Sequence, residues 1–314
     1  MLRFVGRRVA QSVIVLLGVT LVVFTLIHLV PGDPVRIGLG TRFNPAIYAA
    51  LRHRAGLDKP LVVQYFSYLG HAVTGDLGVS FQTGQPVSQI LIQRLPATLS
   101  LAVTGLIIGV LIAFPLGVLA AVRHDTWVDS VARVISQLGV SVPDFFIGIL
   151  LILALTGTAG SLPPSGYVSL TSDPAEWGRH VLLPALSVGL VTASILTRFT
   201  RTAVLEELGR DYVRTADAKG IPAATVLRRH VMRNAFAPVL TVVGVQLASL
   251  LGGVIVIEVL FAWPGLGLLT YQAVEQRDYP VLQGVVLLIA AVFLVVNLIV
   301  DLLYAVIDPR ISLR

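Results

Sequence analysis

The chain has 314 residues, of which 55% are apolar and only 13% charged. Charged residues are about half as frequent as in a soluble domain, too few to cover a core of this size with polar surface, so a soluble globular protein is excluded. The formal charge is +6 and there is no cysteine. The basic excess points to anchoring on anionic lipid headgroups rather than to nucleic acid, and disulfides, thiolate metal sites and cysteine nucleophiles are ruled out.

Arg3, Arg7 and Arg8 open the chain, and a charge-free apolar run follows over 9–30. That run is too long for a signal-peptide core and no small-residue cleavage site follows it, which predicts a retained first span. Crossing the hydrocarbon takes roughly 20 apolar residues as helix. Further runs lie at 98–122, 134–159, 181–197, 235–260 and 281–304, the fourth being the shortest. Each is continuous rather than alternating, which predicts helices and not barrel strands. The expected fold is therefore all-α: one polytopic membrane domain over 1–314 with six transmembrane helices.

Two connections are too long to be simple turns. Residues 31–97 begin with Pro31-Gly32-Asp33-Pro34, which cannot continue a helix. They hold an amphipathic piece near 46–57 and a turn-rich stretch, Thr74-Gly75-Asp76-Leu77-Gly78. With the N-terminus in the cytoplasm, the inner segments hold 15 of the 23 Lys and Arg. Most of the others fall in 31–97, a long outer loop that the charge rule weights little, so both termini are expected to be cytoplasmic.

The other connection, 198–234, is then a cytoplasmic loop and reads as two helices with a break. The first runs from about Thr202 to Lys219; Gly220 can take the left-handed conformation that ends a helix, and Pro222 suits the first position of the next. Ala216, Ala218 and Ala224 keep the surface around the break low, and Ile221 is an apolar knob at its apex. Arg228, Arg229, His230 and Arg233 mark the membrane boundary. Such a loop either lies on headgroups or docks into a partner's groove.

The run Asp211-Tyr212-Val213-Arg214-Thr215-Ala216-Asp217-Ala218-Lys219-Gly220 resembles the cytoplasmic signature of ABC-importer permeases, Glu-Ala-Ala, three residues, then Gly. Arg229-His230 through Arg233-Asn234-Ala235 to Pro238 resembles the dipeptide/oligopeptide/nickel branch. So do Pro31-Gly32-Asp33-Pro34, Gly75-Asp76-Leu77-Gly78-Val79-Ser80, and Val142-Pro143 with Phe145. Later matches are Glu258 with Phe261, Pro264-Gly265-Leu266-Gly267, Arg277-Asp278-Tyr279-Pro280, and Asn297 through Asp301 to Asp308-Pro309-Arg310. The sequence departs at Thr215, where the signature has Glu, and at Asp217, where the branch more often shows Arg. Met232-Arg233 replaces a closing Leu-Pro. The resemblance implies a type I importer fold in the cytoplasmic (inner) membrane, in which two related six-span subunits enclose a pathway. It also implies that Tyr212, Arg214 to Gly220 and Ile221 couple to two cytoplasmic ATPase subunits, and that an extracytoplasmic binding protein delivers cargo. Peptides are the expected cargo, with nickel, glutathione and haem as alternatives.

A phosphate-cradling loop needs Gly-Lys-Ser/Thr, but the only lysines are Lys59 and Lys219 and neither follows a glycine. ATP and Mg2+ are therefore expected on partner ATPases, with no cofactor, metal site or catalytic residue in this chain. An ion-coupled secondary carrier, the more distant alternative, would show carboxylate relays at midplane depth. Asp144 follows Pro143 and either caps a half-helix that restarts there or meets a peptide's amino group. Phe145, Glu258, Phe261 and Asn297 are further candidates for the pathway or its gate. Asn297 and Asp301 share a helical face, with helix packing the expected role of Asp301. Trp263 reads as a headgroup anchor, and the Pro264-Gly265-Leu266-Gly267 turn either as a seal at the outer mouth or as a receiver for the binding protein.

Overall fold

The computed structural model describes residues 2–29, 32–33, 35–36, 44–54, 56–156 and 162–307. Pro31, Pro34, the last residues of the third apolar run and Asp308-Pro309-Arg310 lie outside these. The described chain forms helices α1 (Leu2–Leu29), α2 (Pro45–Arg54), α3 (Leu61–Val73), α4 (Val87–Val122), α5 (Trp127–Ser141), α6 (Asp144–Leu155) and α7 (Pro174–Leu208). Beyond these come α8 (Asp211–Ala218), α9 (Ala223–Val226), α10 (Met232–Gly253), α11 (Ile255–Leu260), α12 (Leu266–Glu275) and α13 (Tyr279–Ile307). Among the described residues five helical stretches are long and apolar enough to cross a membrane, or six if the bent pair α5–α6 counts as one.

The differences from the apolar runs have physical causes. Hydropathy marks where a helix is greasy, not where its hydrogen bonds stop. Thus α4 begins at Val87 and runs through Pro96, and α7 extends from Pro174 to Leu208. Asp173 starts α7 by accepting the Ala175 and Glu176 N–H groups, both at 3.0 Å, with Pro174 in the first turn. The third run is broken: α5 and α6 meet at 101° across Val142-Pro143, because proline disfavours helix in the residue before it and removes a donor. The fifth run breaks at Val254, just after Gly252-Gly253, two adjacent weak helix formers. The first loop helix does not run from Thr202 to Lys219. Residues up to Leu208 continue α7, and Gly209-Arg210 separates them from α8.

The centre of the bundle is α4 packed on α7. Gly105, Gly109 and Gly117 lie against Val188, Thr192 and Thr200, and a Cβ on any of the three would stand under 3.0 Å from its neighbour. The three pairs keep one register, so the two helices run parallel, with the close backbone approach that small residues permit in membranes.

One end of this pair is basic. There Val118 and Ala121 of α4 and Val204 of α7 pack with Val213, Ala216, Val226 and Val231. At the opposite end Ala97, Leu101 and Val181 pack with Ile257, Phe261 and Trp263. The α1 and α13 helices flank the bundle, and Arg8 joins Asp301 at 3.2 Å on the basic side. Asp301 thus finds a neighbouring arginine rather than a purely apolar packing role.

Candidate functional site

The basic end carries the loop that the sequence singles out. Helix α8 turns Val213 and Ala216 inward, leaves Tyr212 half-buried, and exposes Arg214, Thr215, Asp217, Ala218 and Lys219. Its stop is a Schellman motif. Gly220 has φ +73°, its N–H donates to Asp217 O at 2.9 Å, and the Ile221 N–H reaches back to Ala216 O at 3.2 Å. Nothing lies within 4 Å of a Cβ placed on Gly220, so the glycine answers a backbone need and not a packing one. Ile221 corrects an expectation. It is not an exposed knob at the apex; its side chain is half-buried against the Val213, Ala216 and Val226 cluster. The apolar contact that accompanies a Schellman turn draws it in.

A polar cluster ties α8 to its neighbours. The Tyr212 hydroxyl donates to Glu207 Oε2 at 2.7 Å, and the Asn234 amide reaches the Tyr212 oxygen at 3.3 Å. Burial, followed by donation to Glu207, pushes the Tyr212 phenol up. Arg210 pairs with the same Glu207 at 3.5 Å. Nearby, Asp129 of α5 is fully buried, and Arg201 of α7 grips it with two donors, Nη2 at 2.8 Å. Nothing in the local sequence marks Arg201 and Asp129 as partners. The available signal was an acid among the few charges of the 123–133 segment.

The opposite end is organised around Glu258, which is fully buried. Its carboxylate accepts the Thr98 hydroxyl at 2.7 Å and the Leu268 N–H at 2.9 Å, while the Thr98 oxygen accepts the Leu266 N–H at 2.7 Å. The acid therefore sits at the N-terminus of α12, where free N–H groups and the helix dipole favour it. Gly265 and Gly267 make the room: a Cβ on Gly265 would collide with the carboxylate, and one on Gly267 with the Ile255 backbone. Trp263 is not a headgroup anchor. It is fully buried and its indole N–H donates to Ala97 O at 2.8 Å. Phe261 is likewise 1% exposed, within the core rather than on an accessible gate surface.

The remaining candidates lie on α6 and α13. Asp144 occupies the first turn of α6 after Pro143 and accepts the Phe145 N–H at 2.7 Å; Phe145 itself is exposed. Asn297 is half-buried on α13. Among the described residues no group of three or more His, Asp or Glu is placed to hold a metal ion.

Asp33 ties the residues after it to α2. It accepts the Val35 N–H at 3.0 Å, the Arg36 N–H at 3.1 Å and the Tyr48 hydroxyl at 2.7 Å. Burial works to raise its carboxyl, but these bonds and Arg52 hold it below its ordinary value. Asp278 plays a similar part farther on. Buried before α13, it accepts the Ser80 hydroxyl and the Phe81 N–H, the latter at 3.1 Å.

Comparison with known proteins gives consistent results. Residues 113–313 match the family described as binding-protein-dependent transport system inner membrane component, and residues 1–102 match the corresponding N-terminal family. The chain is 40% identical over 335 aligned residues to the dipeptide transport system permease protein DppB of Escherichia coli strain K12, with 99% of each covered. It is 41% identical over 314 residues to the glutathione transport system permease protein GsiC of Salmonella choleraesuis, with 100% of each covered. A putative peptide transport system permease protein of Brucella abortus is 42% identical over 305 residues, 97% of each. Among solved structures, the MetNI methionine ABC transporter in an inward-facing conformation aligns with a TM-score of 0.57 at 18% identity, covering 70% of this chain and 97% of that one. That likeness supports the fold alone.

Proposed function

The chain belongs to the binding-protein-dependent transport system inner membrane components, and from that premise we propose that it forms half of an import pathway for di- or oligopeptides. It is a permease subunit of an ABC importer; the cargo, the partners and the orientation are the steps beyond that.

The observation that carries the coupling role is the α8–α9 turn. Its apolar residues face the bundle, its charged ones face outward, and a Schellman stop at Gly220 fixes its shape. Such a rigid, low surface suits a cleft on an ATPase, so two ATPase subunits binding ATP and Mg2+ supply the energy from the basic side, which is the cytoplasm with both termini. A second six-span permease completes the pathway and an extracytoplasmic binding protein loads it. ATP binding drives the pair between inward- and outward-facing states, since packed helices switch between discrete arrangements rather than deform continuously.

Peptide cargo draws support from relatives named for dipeptide and for glutathione transport. The test is purification of the assembled complex, identification of the ligand on its binding protein by mass spectrometry, and uptake in liposomes. ATP-dependent uptake of a short peptide is expected. Nickel or haem on the binding protein would replace the cargo, and ion-driven uptake by this chain alone would overturn the reading.

A further inference from the structure

Helix α3, Leu61–Val73, is arranged inside out for a helix in water. Four of its polar side chains, Gln64, Tyr65, Ser67 and Tyr68, face the protein: the Gln64 amide oxygen meets His28 Nε2 at 3.1 Å, and Gln64 is buried. The Tyr65 hydroxyl donates to Leu17 O and contacts Thr20 Oγ1, each at 3.1 Å. Behind it, Ser67 and Tyr68 line a cavity of about 810 Å³ shared with His28 and Gln283. The outward face is apolar instead. Val62, Val63, Phe66 and Val73 are exposed by 68, 47, 65 and 88%. No Asp, Glu, Lys or Arg occurs anywhere in the helix.

The contacts also set its depth. The apolar span of α1 is Gly6–Leu29, and Leu17 stands at its middle. At 1.5 Å per residue Leu17 lies about 18 Å below the Leu29 end. A tyrosine side chain reaches about 6.5 Å, so the α3 backbone at Tyr65 lies well inside a hydrocarbon layer roughly 30 Å thick. Thirteen residues make a helix of about 20 Å, too short to cross. Over the same stretch α1 leaves Leu21, Val22 and Leu26 exposed, which continues the apolar surface.

We propose that α3 lies within the bilayer, in the leaflet opposite the α8–α9 turn, with Val62 and Phe66 against lipid acyl chains and its polar face walling the cavity off from them. The 31–97 segment is then not wholly an aqueous loop. The proposal needs only that α1 crosses the membrane and holds whichever cargo is carried.

The chain has no cysteine, so single labels are unambiguous. Val62→Cys, Phe66→Cys and the exposed turn position Thr74→Cys would each be spin-labelled in the assembled complex in lipid nanodiscs. Collisional access to oxygen and to a polar nickel chelate is then measured. The ratio of oxygen to nickel access should be at least about tenfold higher at 62 and 66 than at 74, since hydrocarbon excludes the polar reagent. Nickel access at 62 and 66 equal to that at 74 would place α3 in water. Low access to both reagents would place a protein subunit on this face. Either result overturns the proposal.

Discussion

The two ends of the bundle treat their turns in opposite ways. At the Glu258 end the turn is closed inward: the Thr98 hydroxyl, the Leu266 and Leu268 N–H groups and the Trp263 indole all find protein partners in the interior. At the Gly220 end the backbone is satisfied, but Arg214, Asp217 and Lys219 point away from the bundle. Both turns depend on glycine, for different reasons. Gly265 yields space to a carboxylate, whereas Gly220 yields a backbone angle. A turn sealed by its own core belongs to the fold; a stiff turn with its charges outward is, on the proposed reading, the surface that meets another molecule.

Substitutions should expose that contrast, most severely at the sealed end. Trp263→Ala removes a buried aromatic and its hydrogen bond to Ala97 O, a loss of about 3–5 kcal/mol. The thermal unfolding midpoint of the purified complex should fall sharply. An unchanged midpoint would mean the indole is not core.

Gly220→Val forces a branched side chain to positive φ, which costs roughly 1–2 kcal/mol, but there is room for it. The complex should assemble while binding-protein-stimulated ATPase is lost, and Gly220→Asn should retain more of it because Asn tolerates this conformation. Full ATPase in the valine variant would erase the distinction between the two ends.

The smallest effect is expected from Tyr212→Phe, which keeps the ring and deletes the hydroxyl held by Glu207 and Asn234, for about 0.5–1.5 kcal/mol. A small drop in the unfolding midpoint with little change in assembly is the outcome to look for.

What could be read from the sequence was what local chemistry decides. Gly220 followed by Pro222 announces a stop and a restart, and Pro143 announces the break between α5 and α6. What could not be read was pairing across the fold. Asp129 and Arg201 are 72 residues apart, and nothing near either one names the other. The headgroup expectation for Trp263 fails because a tryptophan beside an apolar run has the same local appearance whether it meets headgroups or Ala97 O. The position of Ile221 is hidden because the inward pull of its turn is a tertiary contact. The polar face of α3 was invisible for the same reason, since its partners are on α1.

The α4–α7 ribbon has a mechanical consequence. Thr98 and Ala121 stand about 35 Å apart on one helix, and each belongs to a different end. With Gly105, Gly109 and Gly117 pressed onto α7, the two rods tilt as one beam. A swing of about ten degrees pivoting at Ala121 carries Thr98 through roughly 6 Å. That is twice the length of the hydrogen bonds it shares with Glu258 and Leu266, so the far turn must either ride along with the beam or let go of it.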